Sequence, residues 1–210
     1  MNILITTTPA DDKNYFCMSE KLFPTGLASI ASVIANGHKH HAIEEHHITF
    51  RDPYYDPKEI PSVQELNKLK IDIIGVYVAT PCYLEFLKMV RKWRQDGWNG
   101  KIISGGPHWS VAWEYPKEVN VIVIGEGEEV VLDLITKDIP KEQVVIKANP
   151  IENLDSLPAP MYSLMGNRKY HSSGMKEPLI NMNTSRGCPH SCTFCSSRPI
   201  SGNKYRYRSF

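Results

Sequence analysis

Most of what this chain lacks bears on its class. No apolar run approaches the length of about 20 residues needed to span a bilayer. The N-terminus, Met1-Asn2-Ile3-Leu4-Ile5-Thr6, has neither a basic n-region nor a long apolar h-region, so it does not read as a signal peptide. Charge of one sign is missing too: the net formal charge is +1, which gives no electrostatic case for nucleic acid or a membrane surface as partner. No repeat of solenoid period and no low-complexity tract occurs. There are only five cysteines in 210 residues, and three crowd into one short stretch. That suits a reducing, cytoplasmic compartment and a metal site better than a disulfide framework. The remaining composition, 41% hydrophobic and 22% charged, is that of an ordinary globular protein.

The three clustered cysteines are Cys188, Cys192 and Cys195, in the stretch Thr184-Ser185-Arg186-Gly187-Cys188-Pro189-His190-Ser191-Cys192-Thr193-Phe194-Cys195. Three thiolates spaced C-x3-C-x2-C on one loop can hold three irons of a [4Fe–4S] cluster, leaving the fourth iron without a local protein ligand. An open metal position is where a substrate or cofactor binds. The other reading of the stretch is a structural zinc site completed by His190 or His171, although zinc knuckles usually pair cysteines as C-x2-C. Cys17 and Cys82 read as small, partly buried hydrophobes or chance loop thiols. His38, His40, His41, His46 and His47 read as a solvated turn and edge strand, with a metal site as the less favoured alternative, because adjacent strand residues point to opposite faces.

Ahead of the cysteines, short apolar strands alternate with amphipathic helices. Strands are expected at Asn2–Thr8, Ala42–Phe50, Ile71–Val78, Lys101–Ser104 and Val119–Ile124. Pro24-Thr25-Gly26 opens a helix in which Leu27, Ile30, Ala31 and Ile34 share a face, and Asn36-Gly37 reads as its stop. Further helices are expected over Ser62–Leu69, Tyr83–Gln95 and after Gly125-Glu126-Gly127-Glu128. The near-continuous apolar run at Ile71–Val78 implies burial on both faces, as in a parallel sheet. These units predict an α/β fold, a flavodoxin- or Rossmann-like five-stranded parallel sheet of order 2-1-3-4-5, with Gln143–Lys147 able to add an edge strand. Ligands bind such sheets outside the carboxyl ends of the strands. Thr80-Pro81, Gly105-Gly106 and Gly125–Glu128 all fall there. Glycines admit a close backbone approach, or simply a turn. Glu126 and Glu128 suit the positive end of a helix dipole, as caps or as ligands. His108 reads either as a ligand contact or as a solvated loop residue. Three prolines between Pro150 and Pro160 read as a linker, and the next strand is expected at Leu179–Asn183.

The cysteine motif, with Phe194 before its last member, resembles the signature of radical S-adenosylmethionine enzymes. That resemblance implies that Cys188, Cys192 and Cys195 each ligate one iron, that Phe194 lies near S-adenosylmethionine, and that the amino and carboxylate groups of this cofactor chelate the open iron, an electron from the cluster then cleaving it to a 5′-deoxyadenosyl radical. The N-terminal pieces Pro24-Thr25-Gly26-Leu27-Ala28, Asp72-Ile73-Ile74-Gly75-Val76, Gly105-Gly106-Pro107-His108 and Gly125-Glu126-Gly127-Glu128, with Asn153–Pro160 as linker, resemble the cobalamin-binding domain that precedes the barrel in many of these enzymes. The resemblance implies cobalamin contacts from Thr80, Gly105, Gly106, His108, Gly125, Glu126 and Gly127. The loop after the first strand, Pro9–Tyr15, lacks the D-x-H-x-x-G motif carried by those cobalamin proteins that ligate cobalt with a histidine.

The expected organisation is a cobalamin-binding-like domain over residues 1–148, a linker over 149–178, and over 179–210 the first strand and cluster loop of a partial βα barrel. The segment from Leu179 onward is expected to be loosely anchored, since its barrel neighbours are absent. The ending at Arg206–Phe210, just past the cysteines, reads as a fragment, a truncated product or one part of a split protein. The implied activity is radical chemistry, methyl transfer to an unactivated carbon, on a small-molecule substrate, with flavodoxin or ferredoxin as reductant. The alternatives are a radical cyclase or rearrangement enzyme and a non-catalytic module that binds cobalamin or a partner.

Overall fold

The computed structural model describes residues 1–10, 20–41, 46–137 and 139–209. Cys17 and most of the loop after the first strand lie outside the described residues, as does the start of the expected second strand. The core is a parallel sheet of six strands in the order β2-β1-β3-β4-β5-β6. The strands are β1 (Asn2–Thr6), β2 (His47–Arg51), β3 (Ile73–Tyr77), β4 (Lys101–Gly105), β5 (Val121–Ile124) and β6 (Val144–Lys147). The order expected for the first five holds, and the Gln143–Lys147 segment supplies the sixth, paired to β5 from Val121↔Val144 to Ile124↔Lys147.

Alternation along the strands divides the core. Ile3, Ile5, Ile73, Ile103, Val121 and Val123 point to one face. There they meet α1 (Thr25–His41) and α4 (Glu128–Thr136), through Leu27, Ala31, Ile34, Val131, Leu134 and Ile135. Leu4, Ile74, Val76, Ile102 and Ile122 point to the other. They pack on α2 (Val63–Lys68) and α3 (Tyr83–Gln95), through Leu66, Phe86, Val90 and Trp93. Each face buries its own apolar stripe, the arrangement that parallel sheets require.

Several boundaries differ from the expectation. Helix α1 runs through Asn36-Gly37 to His41. Asn36 does not cap; its side-chain amide donates to the Ser32 carbonyl one turn back, at 2.7 Å. A glycine inside a helix costs about 1 kcal/mol, which the burial of Leu27, Ala31 and Ile34 exceeds. His38, His40 and His41 therefore close a helix rather than a turn, and His47 opens β2, exposed. Residues 179–183 form no strand. Leu179 N–H donates to Tyr170 O, and the Asn181 side chain donates to Phe23 O, while Ile180 and Met182 stay exposed.

The proline-rich stretch is not a free linker. Ile151, Leu154 and Leu157 are buried in the α1/α4 face of the core. Further on, Tyr170 is 1% exposed and packs with Phe23 and Tyr55. Its hydroxyl donates to Asp52 Oδ2 at 2.7 Å, and Thr7 Oγ1 donates to Asp52 Oδ1 at 2.6 Å. Arg168 grips Glu59 in a fork, with Nε to Oε1 at 2.9 Å and Nη2 to Oε2 at 2.5 Å. Burial raises the Asp52 carboxyl above the ordinary range; the bonds from Thr7, Tyr170 and Tyr55 and the Arg168 charge offset this only in part. A raised folded pKa means stability present at low pH and lost as pH rises above the ordinary carboxylate value of about 4. We therefore expect Asp52→Asn to be less sensitive to pH than wild type, with wild type losing thermal stability relative to it as pH rises above about 4. Melting curves at several pH values check this, and parallel curves would contradict it.

Candidate functional site

A cavity of about 540 Å³ lies over the carboxyl edge of the sheet. Its floor is apolar, running down between the sheet face and helices α1 and α4 through Ile5, Leu27, Ile30, Ile103, Val123 and Val131. Its rim carries Thr25 and Gly26 at the start of α1, Gly105 and Gly106 after β4, and Gly125–Glu128 after β5. Its roof comes from the cysteine segment: Asn183, Ser185, Arg186, Gly187 and Cys188, then Ser197, Ile200 and Ser201. The cavity therefore joins the two regions that the sequence singled out separately.

The cysteine loop has a defined base. Strands β7 (Ser185–Arg186) and β8 (Arg206–Tyr207) pair antiparallel, Ser185 with Tyr207 and Arg186 with Arg206. Cys188 N–H donates to Gly202 O at 3.1 Å. Gly187 has φ +85°, and a Cβ there would lie 2.0 Å from the Lys204 carbonyl oxygen, so only glycine fits. Between these strands runs the short helix α5 (Ser197–Ser201). Cys188 is half-buried, whereas Cys192 and Cys195 are exposed. Hydrogen bonding to Ser197 lowers the Cys195 thiol below its ordinary value. Among the described residues no group of three or more His, Cys, Asp or Glu side chains is placed to hold a metal ion. The donor set nonetheless suits iron: three thiols on one accessible loop, one already biased toward thiolate. Phe194 is 91% exposed, and His190 is exposed. His171 engages Lys21 through backbone bonds.

The acidic residues do what the sequence did not suggest. Glu126 takes Arg206 in a fork, with Nη2 to Oε1 at 2.6 Å and Nη1 to Oε2 at 2.9 Å. Its Oε2 also accepts from Ile151 N–H at 2.9 Å and meets Arg186 Nη1 at 3.3 Å. Arg186 Nη2 donates to Glu128 Oε1 at 2.6 Å. All four side chains are largely buried, Arg206 at 2% exposure. Burial pushes the Glu126 carboxyl up, but the bonds from Arg206 and Ile151 and the charges of Arg186 and Arg206 outweigh it and hold it below the ordinary range. Arg186 is raised: its bonds and charge contacts with Glu128 and Glu126 outweigh the larger single effect of burial. The segment from Leu179 onward is therefore tied to the sheet edge by buried ion pairs, in contrast to the loose anchoring expected.

Of the residues the sequence proposed for cobalamin, Gly105, Gly106, Gly125, Glu126 and Gly127 line the cavity, and Thr80 and His108 do not. His108 is buried, stacks on Tyr83 with ring centroids 4.1 Å apart, and places Nδ1 3.3 Å from Thr80 Oγ1. Burial lowers its pKa. It is thus neither on the cavity nor solvated. Gly106 has φ +111°, and a Cβ there would meet the Val78 backbone oxygen at 2.5 Å. The turn itself demands glycine at this position. We expect Gly106→Ala to cost about 1–3 kcal/mol in urea unfolding, with or without any ligand. An unchanged midpoint would show that the turn relaxes. Gly26, which the sequence placed at a helix start and in a piece resembling the cobalamin-binding domain but not among the expected contacts, is different. A Cβ there meets nothing within 4 Å, and the residue borders the cavity.

No protein-family model matches the chain. It is 26% identical over its full length to an uncharacterized methyltransferase of Pyrococcus horikoshii, covering 48% of that protein. It is 26% identical over 94% of its length to the anaerobic magnesium-protoporphyrin IX monomethyl ester cyclase of Synechocystis, covering 42% of that protein. The chain thus spans about half the length of the curated relatives it matches. Among solved structures it superposes over 99% of its length on TsrM from Kitasatospora setae, a radical S-adenosylmethionine methyltransferase solved with cobalamin and a [4Fe–4S] cluster. The TM-score is 0.57 and the identity 14%, over 43% of that chain. It also superposes over 99% of its length on OxsB, a cobalamin-dependent S-adenosylmethionine radical enzyme. There the TM-score is 0.61 and the identity 16%, over 30% of that chain. The resemblance stated from the sequence is borne out: the relatives include a methyltransferase and a cyclase, and the structural neighbours are cobalamin-associated radical S-adenosylmethionine enzymes sharing this fold.

Proposed function

We propose that this chain is part of a cobalamin-type radical S-adenosylmethionine enzyme, and that its cofactors would bind at the cavity between sheet edge and cysteine loop. The observation that carries the reading is the composition of that one cavity: glycine-rich carboxyl-edge turns form its rim, and Cys188, the first cysteine of the C-x3-C-x2-C motif, forms part of its roof. Bound there, a [4Fe–4S] cluster would supply an electron to S-adenosylmethionine, and cobalamin would supply a transferable methyl group.

The chain's own residues have definable tasks in this scheme. Cys188, Cys192 and Cys195 would hold three irons. Gly26, Gly105 and Gly127 leave room at the rim for a bulky ring, and the apolar floor takes a flat hydrophobic group out of water. No histidine lines the cavity among the described residues, so a bound corrinoid would receive no imidazole from them. The substrate is a small molecule and the reductant a flavodoxin or ferredoxin, in a reducing cytoplasm. No helix among the described residues is long and apolar enough to cross a membrane. Methyl transfer is the favoured reaction; the equal identity to a cyclase supports ring closure as the second reading. Transfer of label from methyl-labelled S-adenosylmethionine to product separates them.

The test is titration with hydroxocobalamin, followed by visible absorbance. Wild type should bind saturably. Gly26→Leu should weaken binding by about tenfold or more, because its side chain enters empty ligand space, while Gly26→Ala should stabilise the apo chain by about 0.4–1 kcal/mol through helix propensity. Equal affinity of wild type and Gly26→Leu would place the site elsewhere. No binding to wild type would remove cobalamin from the reading.

A further inference from the structure

Three facts about Glu126 and Glu128 need one explanation. They border the cavity, yet the pairing atoms of Glu126 are already engaged by Arg206, Arg186 and Ile151. Their partners sit on β7 and β8, the two strands that close the cysteine loop. And Arg186 lies two residues before Cys188, joined to it by Gly187, a residue whose backbone angle admits no side chain.

We infer that Glu126 and Glu128 are positioning residues that clasp both ends of the cysteine loop through Arg206 and Arg186, and that this clasp sets where the three thiols stand over the cavity. The inference rests on the reading of those cysteines as iron ligands, but its physical content does not need iron. Besides the clasp, the loop of some twenty residues has, among the described residues, only its two-residue ladder and a solvent-exposed Lys204–Glu152 pair to hold it, and these alone would leave it free to swing about its base. The clasp removes that freedom. Arg206 is held from three sides, by Glu126, by Ile151 O at 2.6 Å and by Ser201 O at 2.7 Å. Its guanidinium therefore joins the sheet edge, the chain that follows the sheet, and the end of α5 inside the loop. Arg186 spans to both carboxylates from the other strand. An arginine fork holds two points of a carboxylate at once and so fixes direction as well as distance. Glu126 and Glu128 follow β5 directly, so any shift of that turn moves the roof of the cavity with its rim. That makes them act on the loop rather than on whatever occupies the cavity.

The experiment uses the full chain and the Arg186–Glu128 pair, with Arg186→Glu, Glu128→Arg and the double exchange. In metal-free, reduced protein, the rate at which iodoacetamide modifies each cysteine is followed by peptide mass spectrometry. Cys188, half-buried and tied to Gly202, should react about tenfold faster in each single exchange, because each leaves a like-charge contact and a freed loop, and should return part of the way in the double, where the exchanged pair is again opposite in charge although the new carboxylate at position 186 also faces Glu126. Cys192 and Cys195, already exposed, should change little. After iron reconstitution, the reduced cluster's electron paramagnetic resonance signal should be uniform in wild type and the double, and heterogeneous in the singles. Circular dichroism checks folding; if a single exchange unfolds the chain, Arg186→Lys and Glu128→Gln are judged by the same criteria. Wild-type Cys188 rates in folded singles, or a double as reactive as the singles, would overturn the clasp. A uniform cluster signal in the singles would overturn its positioning role. If wild type takes up no iron while the alkylation pattern holds, the iron reading falls and the clasp stands.

Discussion

Glu126→Ala should cost about 3–5 kcal/mol, the usual result of removing one member of a buried pair and leaving its partner charged and unmatched. Arg206 is the partner, at 2% exposure, and its Nε is already without an acceptor. Removing the carboxylate leaves that guanidinium with two backbone carbonyls and no carboxylate bonded to it. It also leaves the Ile151 N–H without its acceptor. The loss should register in two places: a lower urea midpoint, and faster proteolytic cutting between residues 187 and 205 as the loop base opens. Glu126→Gln should cost less, since the amide oxygen can still accept. The pH dependence has a definite sign. The folded carboxyl is held below its unfolded value, so its contribution is present above about pH 4.3 and fades as pH falls through the folded value. The advantage of wild type over Glu126→Gln should therefore shrink in acid, opposite to the trend expected of Asp52. A midpoint for Glu126→Ala equal to wild type would mean that the clasp contributes nothing to anchoring.

The fold was legible because its signals are local. Helix α3 has the bounds that its apolar spacing implied, and the near-continuous run around β3 announced burial on both faces. The misses have physical causes. Asn36-Gly37 is a strong local stop, but a helix packed on a sheet face follows tertiary burial where that outweighs propensity. Leu179–Asn183 has the composition of a strand, yet a strand also needs a neighbour to pair with, and pairing begins only at Ser185.

The site divides in the same way. Three cysteines within eight residues are visible in any reading. The clasp is not, because Glu126 and Arg206 are 80 residues apart and Glu128 and Arg186 are 58 apart. The one available signal was chemical: two acids in a glycine-rich turn on a sheet edge, and arginines immediately flanking the cysteine loop. Gly105 and Gly106 look alike in sequence. Only the backbone shows that Gly106 serves the turn at φ +111°, whereas a Cβ on Gly105 would meet Val123 O at an ordinary 3.9 Å.

Replacing Cys188, Cys192 or Cys195 singly by alanine should abolish the broad charge-transfer absorption that anaerobically reconstituted wild type is expected to show. Bound iron should fall from about four atoms per chain to a small fraction of that, since a [4Fe–4S] cluster with two protein ligands is poorly held. Ordinary misfolding is separable from ligand loss. Cys192 and Cys195 are exposed, so their alanine variants should unfold within about 0.5 kcal/mol of wild type in the metal-free state. Cys188 is half-buried beneath its bond to Gly202 and should cost somewhat more. Serine at Cys195 is the sharper probe: it keeps the shape and a hydroxyl for Ser197 but replaces a soft thiolate with a weak iron ligand. If iron binding survives in Cys195→Ser and Cys195→Ala alike, that residue is not a ligand. If wild type instead takes up one zinc tightly and no iron, the radical reading is wrong, and the loop is a structural zinc site with His190 or His171 as its fourth ligand.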